Sequence, residues 1–86
     1  MTSYRVRIAV SLKAEVLDPA GQATESVLNQ RGFPEVRAVR IGKLVDLVIE
    51  AETEASAIRL AERAGREFLA NPVLERFEAW VVPDAD

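Results

Sequence analysis

The chain has 86 residues, a formal net charge of −3, and neither cysteine nor histidine. That length allows one domain, and the composition excludes disulfides, metal sites built on thiolate or imidazole, and every catalytic arrangement that needs Cys or His. Its 11 basic and 14 acidic residues are mixed along the chain, so neither a nucleic-acid-binding arm nor an acidic tail is expected. No apolar run approaches the about 20 residues of a membrane span, and the first residues lack the apolar core of a secretion signal. A soluble, cytoplasmic protein is expected.

The stretch from Tyr4 to Leu12 alternates. Tyr4, Val6, Ile8, Val10 and Leu12 share one face, with Arg5, Arg7, Ala9 and Ser11 on the other. Period two with β-branched residues predicts a half-buried strand.

The next element opens with definite start signals. Asp18 can cap a helix by accepting backbone N–H bonds, and Pro19 suits the first helical position. Ala20, Ala23, Val27 and Leu28 give a modest apolar stripe. Gly32 is placed to end the helix in a left-handed conformation. Phe33 is expected to fold over the core, and Pro34 stops the helix.

Two further strands are predicted over 35–41 and 44–51, joined at Gly42-Lys43 by a type II′ hairpin turn. The first buries Val39 and Ile41, although Val36 breaks its alternation. The second turns Val45, Leu47, Ile49 and Ala51 inward and Leu44, Asp46, Val48 and Glu50 outward. A helix from about Thr53, its N-cap, to Leu69 follows, with Ala57, Leu60, Ala61, Ala64 and Phe68 at helical spacing. Gly65 inside it costs about 1 kcal/mol against Ala, which close packing would justify. A last strand over 76–82 turns Phe77, Ala79 and Val81 inward, leaving Glu78, Trp80 and Val82 outward.

The order β-α-β-β-α-β predicts a single α+β domain over residues 1–86. Its expected form is a two-layer sandwich of two helices on one face of a four-stranded, mostly antiparallel sheet. The ferredoxin-like strand order 4-1-3-2 is the expected arrangement.

The other sheet face is neither core nor cleanly polar. Arg5 and Arg7 would lie opposite Asp46, Glu50 and Glu78, while Leu44, Val48 and Trp80 supply an apolar centre. Exposed apolar patches rimmed by charge mark partner contacts. Arg5, Arg7, Leu44, Val48 and Trp80 are therefore a candidate oligomer face, and a self-complementary patch makes a two-fold dimer most simply.

Catalytic chemistry is missing. No paired-carboxylate motif stands out. Gly42-Lys43 lacks the upstream Gly and following Ser/Thr of a phosphate loop. The RNA-binding domains of this topology stack bases on aromatics of their central strands, whereas here the first strand offers arginines and small residues on the open face and the pair over 35–41 and 44–51 offers none of the needed aromatics. A small-molecule-sensing regulatory dimer of ferredoxin-like fold stays open as an alternative.

Three motifs carry a resemblance. They are Val16-Leu17-Asp18-Pro19 with Gly21, then Val39-Arg40-Ile41-Gly42-Lys43, then Leu69-Ala70-Asn71-Pro72-Val73-Leu74-Glu75. In this order, and over about Tyr4 to Val82, the chain resembles the PurS-type small subunit of phosphoribosylformylglycinamidine synthase (FGAM synthase). The resemblance implies a non-catalytic subunit in purine biosynthesis. The full enzyme converts formylglycinamide ribonucleotide to the amidine with ATP, Mg and glutamine. A large synthetase subunit and a glutaminase subunit carry that chemistry. The small subunit, a dimer or higher oligomer, assembles them and helps keep the ammonia path closed. It implies no cofactor bound by this chain, no metal site, no nucleic acid and no membrane. On this reading Asp18, Pro19, Gly21, Gly42, Lys43, Asn71 and Pro72 are candidate partner-interface residues, with no catalytic residue among them.

Overall fold

A computed structural model describes residues 1–83. Strand β1 (Thr2–Leu12) is central, between β2 (Gly42–Ala51) and β3 (Glu75–Val81). Both pairings are antiparallel, with Val6 opposite Leu47 and Val81, and Ile8 opposite Val45 and Ala79. The alternation of β1 holds: Val6, Ile8 and Val10 are buried on one face. Burial of each such side chain is worth about 1.5–3 kcal/mol.

Helix α1 (Pro19–Gln30) starts where the sequence predicts, with Asp18 capping it through the Gly21 N–H. Gly32 ends it at φ +107°, with the Phe33 N–H donating to the Leu28 carbonyl at 2.9 Å. Helix α2 (Glu54–Ala64) is capped by Thr53 and runs into a π turn (Gly65–Leu69). Ala57, Ala61 and Gly65 face the sheet, and these small residues bring the helix close. A Cβ at Gly65 would lie 2.7 Å from the Phe77 ring, so close packing does justify this glycine.

The four-stranded expectation is corrected. Among the described residues the sheet has three strands in the order β2-β1-β3. Residues 35–41 form a strap with no ladder partner, and the Gly42-Lys43 hairpin does not form. Gly42 already lies in the ladder opposite Ser11. The strap's polar groups are held locally instead, by competition of the kind short polar side chains offer. The Asn29 amide donates to the carbonyls of Phe33 (2.9 Å) and Val36 (3.0 Å), and the Ile41 N–H donates to Asp18 at 2.7 Å.

The second correction concerns the helices. Among the described residues α2 is the helix that packs on the sheet; α1 makes at most weak contact with the sheet or with α2. The radius of gyration is 16.2 Å, against about 12 Å for a compact chain of this length. The long axis of 51 Å exceeds the about 33 Å that the ten residues of β2 span. The unit of α1 and strap projects from one end of the sheet as an arm.

Several side chains move accordingly. Phe33 is exposed rather than over the core, Ile41 is exposed, and Val39 is only half-buried. Leu60 and Phe68 are also exposed, Phe68 to 84%. The π turn bonds Ala70 N–H to the Gly65 carbonyl, an i→i+5 step that shifts the helical phase and keeps Gly65, not Phe68, on the sheet side. Val82 lies past the end of β3 and is buried, its N–H donating to the Arg5 carbonyl at 2.8 Å.

Candidate functional site

The three sequence motifs meet at one end of the sheet. Strand β1 ends at Leu12, β2 begins at Gly42 opposite Ser11, and β3 begins at Glu75 opposite Leu12. The loops 13–18 and 71–74 join there through the Lys13 N–H, which donates to the Leu74 carbonyl at 2.9 Å. An open cleft of about 280 Å³ lies between them, lined by residues that include Asp18, Ala20, Ile41, Gly42, Lys43 and Glu75.

Asp18 organises this end. It is only 5% exposed, and its carboxylate accepts the Ile41 N–H at 2.7 Å and the Gly21 N–H at 2.9 Å. The hydrogen bond from Ile41, then that from Gly21, holds the carboxyl below the ordinary carboxylate pKa, against the opposing effect of desolvation. Pro19 occupies the first helical turn. Gly21 is buried, and a Cβ there would collide with the Val39 carbonyl oxygen. A Cβ at Gly42 would meet the Val10 carbonyl oxygen at 2.5 Å. Both glycines are needed for close backbone approach, not for a positive φ.

Asn71 and Pro72 form the turn into β3. The Asn71 side chain accepts the Val73 N–H at 3.0 Å, and the Asn71 N–H donates to the Glu75 carboxylate at 2.7 Å. Glu75 and Lys13, with Ile41, belong to this constellation and are not singled out by sequence. Glu75 falls at i+4 from Asn71, but that spacing is common. Nothing in the sequence announces that Lys13 meets residue 74, because the contact is made by backbone.

The open face of the sheet is a separate surface. Arg7 lies between Asp46 and Trp80 in register and binds Asp46 in bidentate fashion, Nε–Oδ1 2.8 Å and Nη2–Oδ2 3.1 Å. The Arg7 guanidinium holds the Asp46 carboxyl below its ordinary pKa, with Arg5 adding to the field. Arg5 lies opposite Val48, while Glu50 lies opposite Ser3. Glu78 lies opposite Ala9 and pairs with Arg76 at 3.0 Å. Leu44, Val48 and Trp80 are exposed, Val48 to 73%. The structure thus keeps the two candidate sets apart, one at the end of the sheet and one across its open face.

Neither surface is arranged for bond-making. Among the described residues the one buried carboxylate, Asp18, spends its oxygens on backbone donors. Among the described residues no three acidic side chains converge as metal ligands, and no helix is long and apolar enough to cross a membrane. The features that stand out are rigid backbone junctions and exposed apolar side chains, which suit contact with another protein.

Known proteins agree with this reading. A family model described as PurS, phosphoribosylformylglycinamidine (FGAM) synthase, matches residues 5–83. The PurS subunit of phosphoribosylformylglycinamidine synthase from Synechocystis is 45% identical over 75 residues, 87% of this chain and 75% of that protein. A chain in the structure of PurLQS from Thermotoga maritima superposes with a TM-score of 0.88 at 33% identity, covering 95% of this chain and 100% of that one. PurS of Methanocaldococcus jannaschii, a subunit of formylglycinamide ribonucleotide amidotransferase, gives a TM-score of 0.82 at 33% identity, covering 92% of this chain and 95% of that one. With the family model spanning nearly the whole chain and these relatives matching in sequence and fold, this chain belongs to the PurS family of FGAM synthase subunits.

Proposed function

We propose that this chain is the small, non-catalytic subunit that joins the synthetase and glutaminase subunits of FGAM synthase, the ATP-dependent amidoligase of purine biosynthesis. The observation that carries this is the match, over 95% of this chain and 100% of that one, to a chain of the PurLQS structure. The site's chemistry supports it: the family motifs build a rigid sheet end, with Asp18 and the two close-packed glycines, rather than a reacting centre. ATP, Mg and glutamine belong to the other subunits on this reading. Residues at the sheet end, with Lys43 and the Asn71-Pro72 turn exposed, form the surface offered to those partners. A position there also suits shielding of ammonia between the two active sites.

The same reading makes the chain a homo-oligomer, a dimer or tetramer. Leu44, Val48 and Trp80 leave an apolar strip on the open face, and exposed strips of this kind are covered in assemblies.

The test is reconstitution. Synthetase and glutaminase subunits are mixed with and without this chain, and complex formation and glutamine-dependent turnover are followed. A complex that assembles and turns over only with the chain present is expected. Full assembly and turnover without it would overturn the proposal. The alternative, a small-molecule-sensing dimer, predicts instead a rise in melting temperature with a free nucleotide or amino acid.

A further inference from the structure

Residues 18–41 are held together from within and join the sheet at one end. Between 19 and 41 the only buried residue is Gly21, which has no side chain to bury. Helix α1 makes at most weak contact with the sheet or with α2. Its 12 residues fall in the range, about 12–15, below which an isolated helix is marginal in water. Apolar packing therefore does not account for its order. The sheet differs: Val6, Ile8 and Val10 are buried in one cluster with Ala57 and Ala61 of α2.

Hydrogen bonds take over in the arm. At its tip, Asn29 donates to the carbonyls of Phe33 and Val36, and the Phe33 N–H donates to the Leu28 carbonyl. These bonds run within the arm. At its root, Asp18 accepts the N–H groups of Ile41 and Gly21, and the Arg40 guanidinium donates to the Lys13 carbonyl at 2.8 Å. The root bonds fasten the two ends of the arm to each other and to the loop 13–18. Asp18 is at once the cap of α1 and the anchor of the strap, so loss of its bonds frees both in one step. A segment with exposed backbone bonds and little buried apolar surface opens at a lower free energy than the whole domain.

The same root is one bank of the cleft at the sheet end. Asp18, Ala20 and Ile41 line it from the arm, and Gly42, Lys43 and Glu75 from the sheet. The cleft keeps this shape while the arm is fastened. A partner that touches both banks binds the fastened state and not the open one, and so shifts the arm toward order.

We propose that residues 18–41 are a separately opening unit latched by Asp18, and that docking of the partner subunits at the sheet end closes the latch. Resting on the assembly reading above, this linkage works in both directions: the complex orders the arm, and an ordered arm strengthens the complex.

The test is hydrogen exchange read by mass spectrometry at neutral pH, on the chain alone and with the synthetase and glutaminase subunits added. Size-exclusion chromatography of the same mixtures reports whether the complex forms. In the chain alone, α1 amides should exchange at least about tenfold faster than β1 amides, with little dependence on low urea. In the complex they should slow by at least about tenfold. Asp18→Asn should speed α1 exchange further, leave β1 unchanged and weaken the complex. Asp18 is buried, so that weakening is not the loss of a direct contact. The comparison of α1 with β1 in the wild type decides separate opening even where the variant does not fold. Exchange of α1 in step with β1 would overturn the latch, and a complex that still forms would leave the assembly reading standing. A complex that forms with α1 exchange unchanged, or with equal affinity for a folded Asp18→Asn chain, would overturn the linkage. Absence of any complex would overturn the assembly reading and the linkage with it.

Discussion

Asp18 accepts the backbone N–H of Ile41 at 2.7 Å, and this one bond joins the root of α1 to the last residue of the strap. With the bond to Gly21 it fixes where the arm leaves the sheet and where it returns. Because these donors lower the folded pKa of Asp18, its contribution to stability is present above the ordinary carboxylate pKa of about 3.9. It is lost as the pH falls through the lowered folded value. Asp18→Asn places an amide where the Ile41 N–H needs an acceptor. At neutral pH its melting temperature should fall by about 4–8 °C, the shift expected for loss of one ordinary hydrogen bond in a domain of this size. In melts taken at successively lower pH through the carboxylate range, the gap between wild type and variant should narrow. A gap that stays constant with pH would contradict the role of the charge.

Gly21→Ala tests the same junction by sterics. On an isolated helix alanine is favoured over glycine by about 1 kcal/mol. Here the added methyl would collide with the Val39 carbonyl oxygen, a backbone atom that cannot rotate away. Overpacking of this kind costs about 1–3 kcal/mol, so the net effect should be destabilising. Hydrogen exchange should show lost protection across α1, with β1 unchanged. A stabilised variant would mean that α1 and the strap do not meet as described.

Legibility of the fold from sequence followed the range of the forces involved. The alternation of β1 and the caps at Asp18 and Thr53 are local signals, and each appears where the pattern predicts. The strap is a competition between a ladder and side-chain bonds from Asn29 and Asp18; residues 35–41 carry strand propensity, and propensity does not record which partner wins. Phe68 is misplaced because helical spacing assumes one period, and the π turn changes it. At the site, the motifs named Asp18, Gly21, Gly42 and Asn71, but their convergence at one end of the sheet depends on register and on the Lys13–Leu74 backbone bond. Contacts of that kind leave no mark on residue type.

Gly65 and Phe77 should behave as a coupled pair. Gly65→Ala puts a Cβ 2.7 Å from the Phe77 ring, and the ring is packed against the core. The single variant should lose about 1–3 kcal/mol, partly offset by the better helix propensity of alanine. Combined with Phe77→Leu, the cost of the Gly65 substitution should shrink, because the smaller side chain leaves room for the methyl. A double-mutant cycle from denaturant unfolding measures this, and an interaction energy of about 0.5–3 kcal/mol is expected. Strict additivity would show that the contact does not govern the site.

Val48→Asp separates folding from assembly. Val48 is 73% exposed and lies opposite Arg5 on the open face. In an isolated chain, a carboxylate there faces water and an arginine, so the melting temperature of the monomeric form should hardly change. In an assembly that covers the face, the same carboxylate would be desolvated. Affinity should then fall at least tenfold, which corresponds to about 1.4 kcal/mol. Trp80→Ala offers a check of opposite chemistry, since it removes apolar area without adding charge and should weaken the same contact. Both effects are read by titrating each variant against the synthetase subunit and by light scattering on dilution. Loss of self-association alone would assign the face to the homo-oligomer, and loss of synthetase binding alone would assign it to the larger subunit. Unchanged affinity in both measurements would show that the apolar strip of Leu44, Val48 and Trp80 stays in water.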